Sequence, residues 1–480
     1  MYYKSRRILT VVPALVLALV VLFVTSGLTG GGWQDSDIIH VQPAAPPAKH
    51  GKQPRPGPAN IPAPKANPYP ECAGFPDTSR VLVVMKTGAS EAYARVPTQL
   101  MTLLRCLPDF DIYSDLEETI AGHFIHDSLD KILNETRIGN GDFDLYRHQQ
   151  ACAIDQETCN SAAGDVAAKG WSLDKYKNVH IAEKVYAAKP EYDWYLFIDA
   201  DSYVLFHTVV EWLKHLDPTK PQYIGSQSFV ANFPFAHGGS GYLVSQAAMR
   251  GIAESPGLAN SLEEATRHTC CGDWMFAKAL YNTSSIKVNN VWPVINGEKP
   301  ATLPFTKDSW CRPLATMHHM STEEISTFWE WESARMNGPD KDKVTRHADV
   351  FRAFVEPRLV PHREDWNNLS NNQLYLKKGY TNRKFSDGEV NRAKKEGLSE
   401  VEMHAHESFE DCAGACAEES RCLQFRYNDG LCQLGWSISL GRPMKRELER
   451  KSRWMSGWNL TRIEDFVREQ GPCGEVEWPL

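Results

Sequence analysis

The 480-residue chain has no Cys-x-x-Cys pair, no G-x-G-x-x-G and no G-x-x-x-x-G-K-[ST]. Paired-thiolate metal ribbons, dinucleotide fingerprints and P-loops are excluded by their own spacing rules. Positive charge is not in excess either: 52 Lys and Arg stand against 60 Asp and Glu, a net charge of -8. That balance offers no polycationic face to a phosphate backbone, so nucleic acid is not an expected partner. No cysteine occurs before Cys72, and no long internal repeat is evident. Length and composition together rule out a collagen-like chain, a wholly disordered one and a small disulfide-stapled scaffold.

Long apolar runs are scarce, and the one from Ile8 to Val24 is informative. Lys4, Arg6 and Arg7 precede it, and the next Lys or Arg is Lys49. About 20 apolar residues cross a bilayer as a helix, and positive charge stays on the cytosolic side. Residues 1–7 therefore read as a cytosolic tail and 8–28 as a transmembrane signal anchor, with the remainder lumenal. Thr25-Ser26-Gly27 leaves a cleaved signal peptide as the competing reading. Residues 29–70 read as a stem whose prolines favour extended polyproline conformations over a core, with an ordinary flexible N-terminal tail as the plain alternative. All 12 cysteines follow, and Asn-x-Ser/Thr sequons begin at Asn134, Asn282, Asn368 and Asn459. An oxidising lumen explains both, with structural disulfides as the default. The adjacent Cys270 and Cys271 read as members of two separate disulfides, and the spacing names no partner for Cys473.

From Arg80 onward the chain reads as α/β. Val81–Met85, Phe110–Tyr113, Trp194–Ile198 and Tyr223–Gly225 carry strand signals; Pro97–Cys106, Val179–Ala188, Thr208–Leu216 and Gln246–Ile252 have helical spacing. Residues 121–169 read as polar and irregular with short helices. Strands alternating with helices predict a mostly parallel sheet with function at the carboxyl ends of its strands. This domain is placed at 71–335. A charged linker or covering helices follow at 336–400, then a small cysteine-rich α+β module at 401–442 and an extension at 443–480. In the module a helix carrying Cys412 and Cys416 is expected to face strands carrying Cys422 and Cys432.

Four segments could carry chemistry. Asp199 and Asp201 flank Ala200 after an apolar strand, a spacing that lets two carboxylates approach one cation such as Mn²⁺ or Mg²⁺; an acidic loop is the plain alternative. Phe235–Ser245 holds three glycines in four positions, Gly238, Gly239 and Gly241, suited to close ligand approach or to a tight turn. Asp273, among aromatic and apolar neighbours, could serve as a general base or merely cap a helix. His318 and His319 are adjacent, so their side chains are expected to diverge, with only one completing a metal site.

In this order the pieces resemble glycosyltransferase family 31: the Fringe-like β1,3-glycosyltransferases, and more closely the core 1 β1,3-galactosyltransferase branch and its fungal relatives. The likeness runs over roughly residues 80–335, through Val81–Thr87, Ile112–Asp115, Gly170-Trp171-Ser172-Leu173-Asp174-Lys175-Tyr176-Lys177, Asp193–Asp201, Ala236–Ser245, Gly272-Asp273 and His318-His319. It implies a GT-A, Rossmann-like domain in a type II Golgi membrane protein, and an inverting, metal-dependent enzyme. Such an enzyme moves a sugar, galactose foremost, from a UDP-sugar to the 3-hydroxyl of a glycan or glycoprotein acceptor. Asp273 matches the catalytic base, although the usual acidic pair is Gly272-Asp273 here. Asp199, Asp201 and His318 match the metal ligands, with His319 as the alternative third, holding Mn²⁺ or, as the alternative, Mg²⁺. Lys86, Thr87, Asp115, Trp171, Asp174, Lys175, Asp199, Ala200, Asp201, Gly239 and Gly241 fall at nucleotide-sugar positions. The Cys412–Cys432 region resembles a PAN/apple module, which implies protein or carbohydrate binding. A catalytically inactive, membrane-tethered glycan-binding or chaperone-like protein of the same fold is the reading from another class.

Overall fold

The computed structural model describes residues 67–152, 155–161, 164–377, 387–446 and 453–479. The expected cytosolic tail, the anchor at 8–28 and most of the stem lie outside them. Among the described residues, no helix is long and apolar enough to cross a membrane.

The first body is built on an eight-stranded sheet. In chain order its first region gives β1 (Val81–Lys86), β2 (Phe110–Ser114), β3 (Glu118–Ile120), β4 (His123–Asp127) and β5 (Trp194–Asp199). The chain continues through β6 (Tyr203–Val204), β7 (Tyr223–Gly225), the hairpin β8 (Gln227–Val230) and β9 (Phe233–Ala236), β10 (Tyr242–Ser245), β11 (Asn289–Asn290) and β12 (Thr316–Met317). Strand order is β11-β7-β10-β5-β1-β2-β4-β3. β1 runs parallel to β2 and β5, β2 parallel to β4, and β11 parallel to β7, while β10 and β3 pair antiparallel with their neighbours. The sheet is mixed and mostly parallel, as the alternation of strands and helices predicts.

Both faces are covered, which is why β1 and β5 are apolar up to their last residues, Lys86 and Asp199. Side chains alternate along a strand, so Val81, Val83 and Met85 join Leu196 and Ile198 in one core with Trp212 and Phe328. Leu82 and Val84 join Tyr195 and Phe197 in the other, with Tyr242 and Phe276. β4 departs from the expectation of irregular chain over 121–169. Its sequence is polar, with Ile125 alone fully buried, so a strand near the sheet edge carries little apolar signal. The helix expected over 97–106 begins earlier, spanning Ala92–Met101 with Pro97 inside it, and a 3₁₀ turn covers Leu103–Cys106. Proline reads as a helix start because it suits the first turn, and here it lies past that turn.

Helix Thr322–Met336 buries Glu332 against the Tyr203 hydroxyl. Burial lifts this carboxyl to about 8, with the Tyr203 hydrogen bond and the Arg335 charge pulling the other way. A folded value raised above the unfolded one favours folding at low pH, and that contribution is lost as pH climbs through the folded value. Stability is therefore expected to fall by about 1.4 kcal/mol per pH unit from this group between about pH 5 and about pH 8. Urea unfolding across that window should show a flatter dependence in Glu332→Gln; an unchanged slope would count against the assignment.

A second, antiparallel sheet of order β13-β19-β16-β17-β15 forms the disulfide-rich α+β region. It comprises β13 (His362–Glu364), β15 (Gln373–Leu376), β16 (Gln424–Asn428), β17 (Leu431–Gly435) and β19 (Met455–Trp458); the short β14 (Trp366–Asn367) and β18 (Arg442–Pro443) pair beside it. The sheet thus draws strands from both sides of 401–442, and residues 336–400 supply strands where a linker or covering helices are expected. Helix Phe409–Glu418 carries Cys412 and Cys416, bonded to Cys432 and Cys422. Cys473 pairs with Cys311, 162 residues earlier, and Cys72–Cys106 and Cys152–Cys159 form two further bridges. Cys270 and Cys271 pair with each other, correcting the expectation of two separate bridges: the other ten cysteines are already mutually bonded. Asn368 is fully buried, donating to the carbonyls of Phe425 and Gly457 at 3.0 and 3.2 Å, so that sequon is not a surface acceptor in the folded chain. Asn134 and Asn282 are exposed.

Candidate active site and metal centre

β1 and β5 end in register, with Lys86 opposite Asp199. Lys86 Nζ lies 2.6 Å from Asp174 and 3.3 Å from Asp199. Asp174 is shared with Lys177, whose Nζ lies 3.3 Å from it, 2.5 Å from Asp115 and 2.9 Å from the Thr87 carbonyl. Burial by itself would lower both lysines, but their carboxylate partners hold them above the ordinary range. Burial would likewise raise Asp174, and the two ammonium groups outweigh it, so its carboxyl sits low. Deleting one member of such a buried network leaves its partners uncompensated.

Of the residues expected at the donor site, the fold brings together Lys86, Thr87, Asp115, Asp174 and Asp199. Ala200 is buried behind them, its N–H donating to the Lys86 carbonyl at 2.9 Å. Two others lie apart. Trp171 is 63% exposed on helix Val166–Asp174, and Lys175 is held by Asp142 at 2.8 Å and the Arg267 carbonyl at 3.2 Å. Lys177, central to the network, is absent from the residues expected at the donor site. Its signal is the Asp174-x-x-Lys177 spacing, which places the two one helical turn apart.

Past Asp199 the strand ends, and the Ser202 N–H closes a turn on the Asp199 carbonyl at 3.0 Å. Asp199 faces Lys86, whereas Asp201 faces the antiparallel pair β6–β12, where Tyr203 opposes Met317. That pairing sets His318 Nε2 3.1 Å from Asp201 Oδ1. His319 has φ +60°, so its ring returns over His318 with centroids 3.9 Å apart. The expectation that adjacent histidines diverge is corrected: the left-handed backbone folds the second ring back. Asp201, His318 and His319 each offer a ligand atom within 4.8 Å of the others, and Asp199 is not in that group.

A divalent cation fits these donors. The Nδ1 of His318 is buried without a hydrogen-bond partner, and two imidazoles with a carboxylate suit Mn²⁺ among several first-row ions. Burial, with the charge of His318 adding, depresses the His319 imidazole toward its neutral, ligating form; Asp201 opposes this. Burial would raise Asp201, but His318 first, then Arg95 and His319, hold its carboxyl below the ordinary range.

The glycine segment holds this centre from the other side. A Cβ on Gly239 would fall 2.1 Å from His318 Cε1 and 2.3 Å from Nε2, so only glycine lets the imidazole seat there. Gly241 takes φ +81° as the segment turns, its N–H bonding the Gly238 carbonyl at 2.9 Å. Gly239→Ala is therefore expected to displace His318 and weaken Mn²⁺ binding by about tenfold or more, a size typical when the support of a ligand is lost. Isothermal titration with Mn²⁺ measures this, and unchanged affinity would contradict the packing argument.

Asp273 lies in the first turn of helix Gly272–Ser284. Its Oδ2 accepts the Gly238 N–H and its Oδ1 accepts the Trp274 N–H, both at 2.8 Å. Burial pushes this carboxyl up, and the Gly238 N–H, His237 and Lys86 only partly offset it, leaving it above the usual range. A carboxylate so placed is a competent proton acceptor. Asp273 is not the helix cap, since Cys271 occupies that position. Gly272, where an acidic residue would complete the expected pair, is packed too tightly for a side chain: its Cβ would meet the Lys175 carbonyl at 2.8 Å and Asn178 Oδ1 at 2.9 Å. Asn178, Lys86, Asp199, Gly238 and Tyr242 line one small cavity.

No protein-family model and no curated protein matches the chain. Among solved structures, one that aligns is the crystal structure of a glycosyltransferase involved in the glycosylation of the major capsid of PBCV-1. Identity is 11%, the TM-score is 0.27, and the match covers 52% of this chain and 98% of that one.

Proposed function

We propose that the chain is an inverting, metal-dependent GT-A glycosyltransferase that moves galactose from UDP-galactose to the 3-hydroxyl of an N-acetylgalactosamine-bearing glycan or glycoprotein, as a type II protein of the Golgi membrane. One observation carries the reading. The glycine segment 238–241 holds a carboxylate of raised pKa through the Gly238 N–H and seats the His318 imidazole against Gly239. A proton acceptor and a cation-binding cluster brought together by the consecutive Gly238 and Gly239 suit a single displacement on a nucleotide sugar.

In this reading Asp273 takes the proton of the acceptor hydroxyl as its oxygen bonds to the anomeric carbon and the bond to UDP breaks. Attack opposite the leaving group inverts the anomeric centre, and no covalent enzyme intermediate is needed. Asp201, His318 and His319 would hold Mn²⁺, with Asp199 paired to Lys86 on the donor side. A cation there supplies Lewis-acid stabilisation of the departing diphosphate. Lys86 adds fixed positive charge next to Asp199, and Asp115, Thr87 and Asp174 border the nucleotide. Holding donor and acceptor together contributes the proximity effect.

The test is UDP release by the detergent-purified full-length chain with Mn²⁺, over a panel of UDP-sugars and mono- and disaccharide acceptors, with the product's anomeric configuration read by NMR. Acceptor-dependent release with a β-linked product is expected from an α-linked donor. Retained configuration, or release unaffected by chelation with EDTA, would defeat the reading.

A further inference from the structure

Two residues before Asp273, the chain closes a disulfide between neighbours, Cys270 and Cys271. Chain entropy gives little reason for it. In the loop-entropy account, the stabilisation from a cross-link grows with the length of chain it closes. Cys311–Cys473 spans 162 residues, whereas this one spans a separation of 1, the smallest possible. A bond that adds so little to global stability acts on local conformation instead.

The local setting shows what it constrains. The pair joins helix Leu258–Arg267 to helix Gly272–Ser284. The Cys271 carbonyl accepts the Met275 N–H at 3.2 Å and so opens the second helix. Directly after it, Gly272 is pressed on the backbone of Asp174 and Lys175, its Cβ position lying 3.1 and 2.8 Å from their carbonyl oxygens. Lys175 reaches back to the Arg267 carbonyl at 3.2 Å, holding the end of the preceding helix on the same element. Asp273 is the next residue, and its carboxylate meets the Gly238 N–H at 2.8 Å. The junction is thus fixed on the Asp174–Lys175 side and presents Asp273 on the Gly238 side.

We propose that the Cys270–Cys271 disulfide is a positioning device for Asp273: it fixes the helix junction so that Gly272 seats on the Asp174–Lys175 backbone and the Asp273 carboxylate stays on the Gly238 N–H. The cysteines take no part in bond making. The proposal rests on Asp273 being the base of the proposed transfer.

The experiment replaces both cysteines, as Cys270→Ser/Cys271→Ser and separately as Cys270→Ala/Cys271→Ala, in the full-length chain. The kcat for sugar transfer is expected to fall about tenfold or more, with donor KM and thermal midpoint unchanged, and the kcat–pH profile to shift because Asp273 loses its fixed partner. In an Asp273→Asn background the cysteine substitutions should cost nothing further, since they act through that side chain. Hydrogen exchange supplies a readout independent of turnover: the Gly238 amide should exchange at least about tenfold faster in the cysteine variants. An unchanged kcat in variants where Asp273→Asn is inactive would overturn the proposal and leave the base intact. If Asp273→Asn retains transfer, the base reading fails. The positioning of the carboxylate is then decided by the Gly238 amide, whose unchanged exchange would overturn it.

Discussion

Asp273→Asn is expected to lower the turnover of sugar transfer by about 10²–10⁴-fold, the usual weight of a positioned proton acceptor, while leaving donor KM nearly unchanged. Asparagine keeps the shape and can still accept the Gly238 N–H through its amide oxygen, so the loss reports the missing base rather than collapse of the glycine turn. Burial holds the wild-type carboxyl above the ordinary range. The base must be ionised to act, so kcat/KM should rise with pH through that elevated value and level off above it. A steady-state pH profile with the substituted enzyme as control measures both effects. Transfer within threefold of wild type, at about the noise of such comparisons, would remove Asp273 from the reaction.

The second large effect concerns the cation. Asp201→Ala and His318→Ala should each reduce Mn²⁺-supported UDP release by about 100-fold or more, because several kcal/mol of charge stabilisation at the diphosphate depend on the ion they would hold. Asp199→Ala is expected to show a different pattern. Its carboxylate sits 3.3 Å from Lys86 and outside the group formed by Asp201, His318 and His319. Removing it should impair the donor more than Mn²⁺ affinity in the absence of nucleotide. Mn²⁺ binding followed by electron paramagnetic resonance, with and without UDP, separates the two. Equal loss of UDP-free Mn²⁺ binding in Asp199→Ala and Asp201→Ala would show that both carboxylates face one ion.

Much of this architecture was legible in the residues, for a physical reason in each case. The strands at 81–86 and 194–199 lie side by side in the middle of a sheet covered on both faces, so their apolar runs Val81–Met85 and Trp194–Ile198 are unbroken and easy to read. β4 lies next to a sheet edge, where the single fully buried Ile125 leaves little pattern, and β13 and β15 are short segments of the small second sheet. Pairings across long separations, such as Cys311–Cys473, depend on tertiary proximity that spacing does not encode.

The candidate site shows the same division. Asp201, Asp273 and the glycine segment stand out by residue type and spacing. The behaviour of His318 and His319 does not, because it follows from a left-handed φ at His319 that no propensity signals. Lys177 was hidden by its type: a lysine is normally solvated, and only the fold reveals one buried between Asp115 and Asp174. At Gly272, where the sequence reading expects an acidic partner for Asp273, the closeness of Lys175 and Asn178 leaves no room for a side chain.

In the proposed enzyme Asp201, His318 and His319 hold a divalent cation for a nucleotide diphosphate. Titration of Mn²⁺ into the purified full-length chain, alone and with saturating UDP, tests it most directly. One ion per chain, bound more tightly with UDP present and lost in Asp201→Ala, is the expected result. Absence of Mn²⁺ binding, or binding indifferent to both UDP and Asp201→Ala, would contradict the claim.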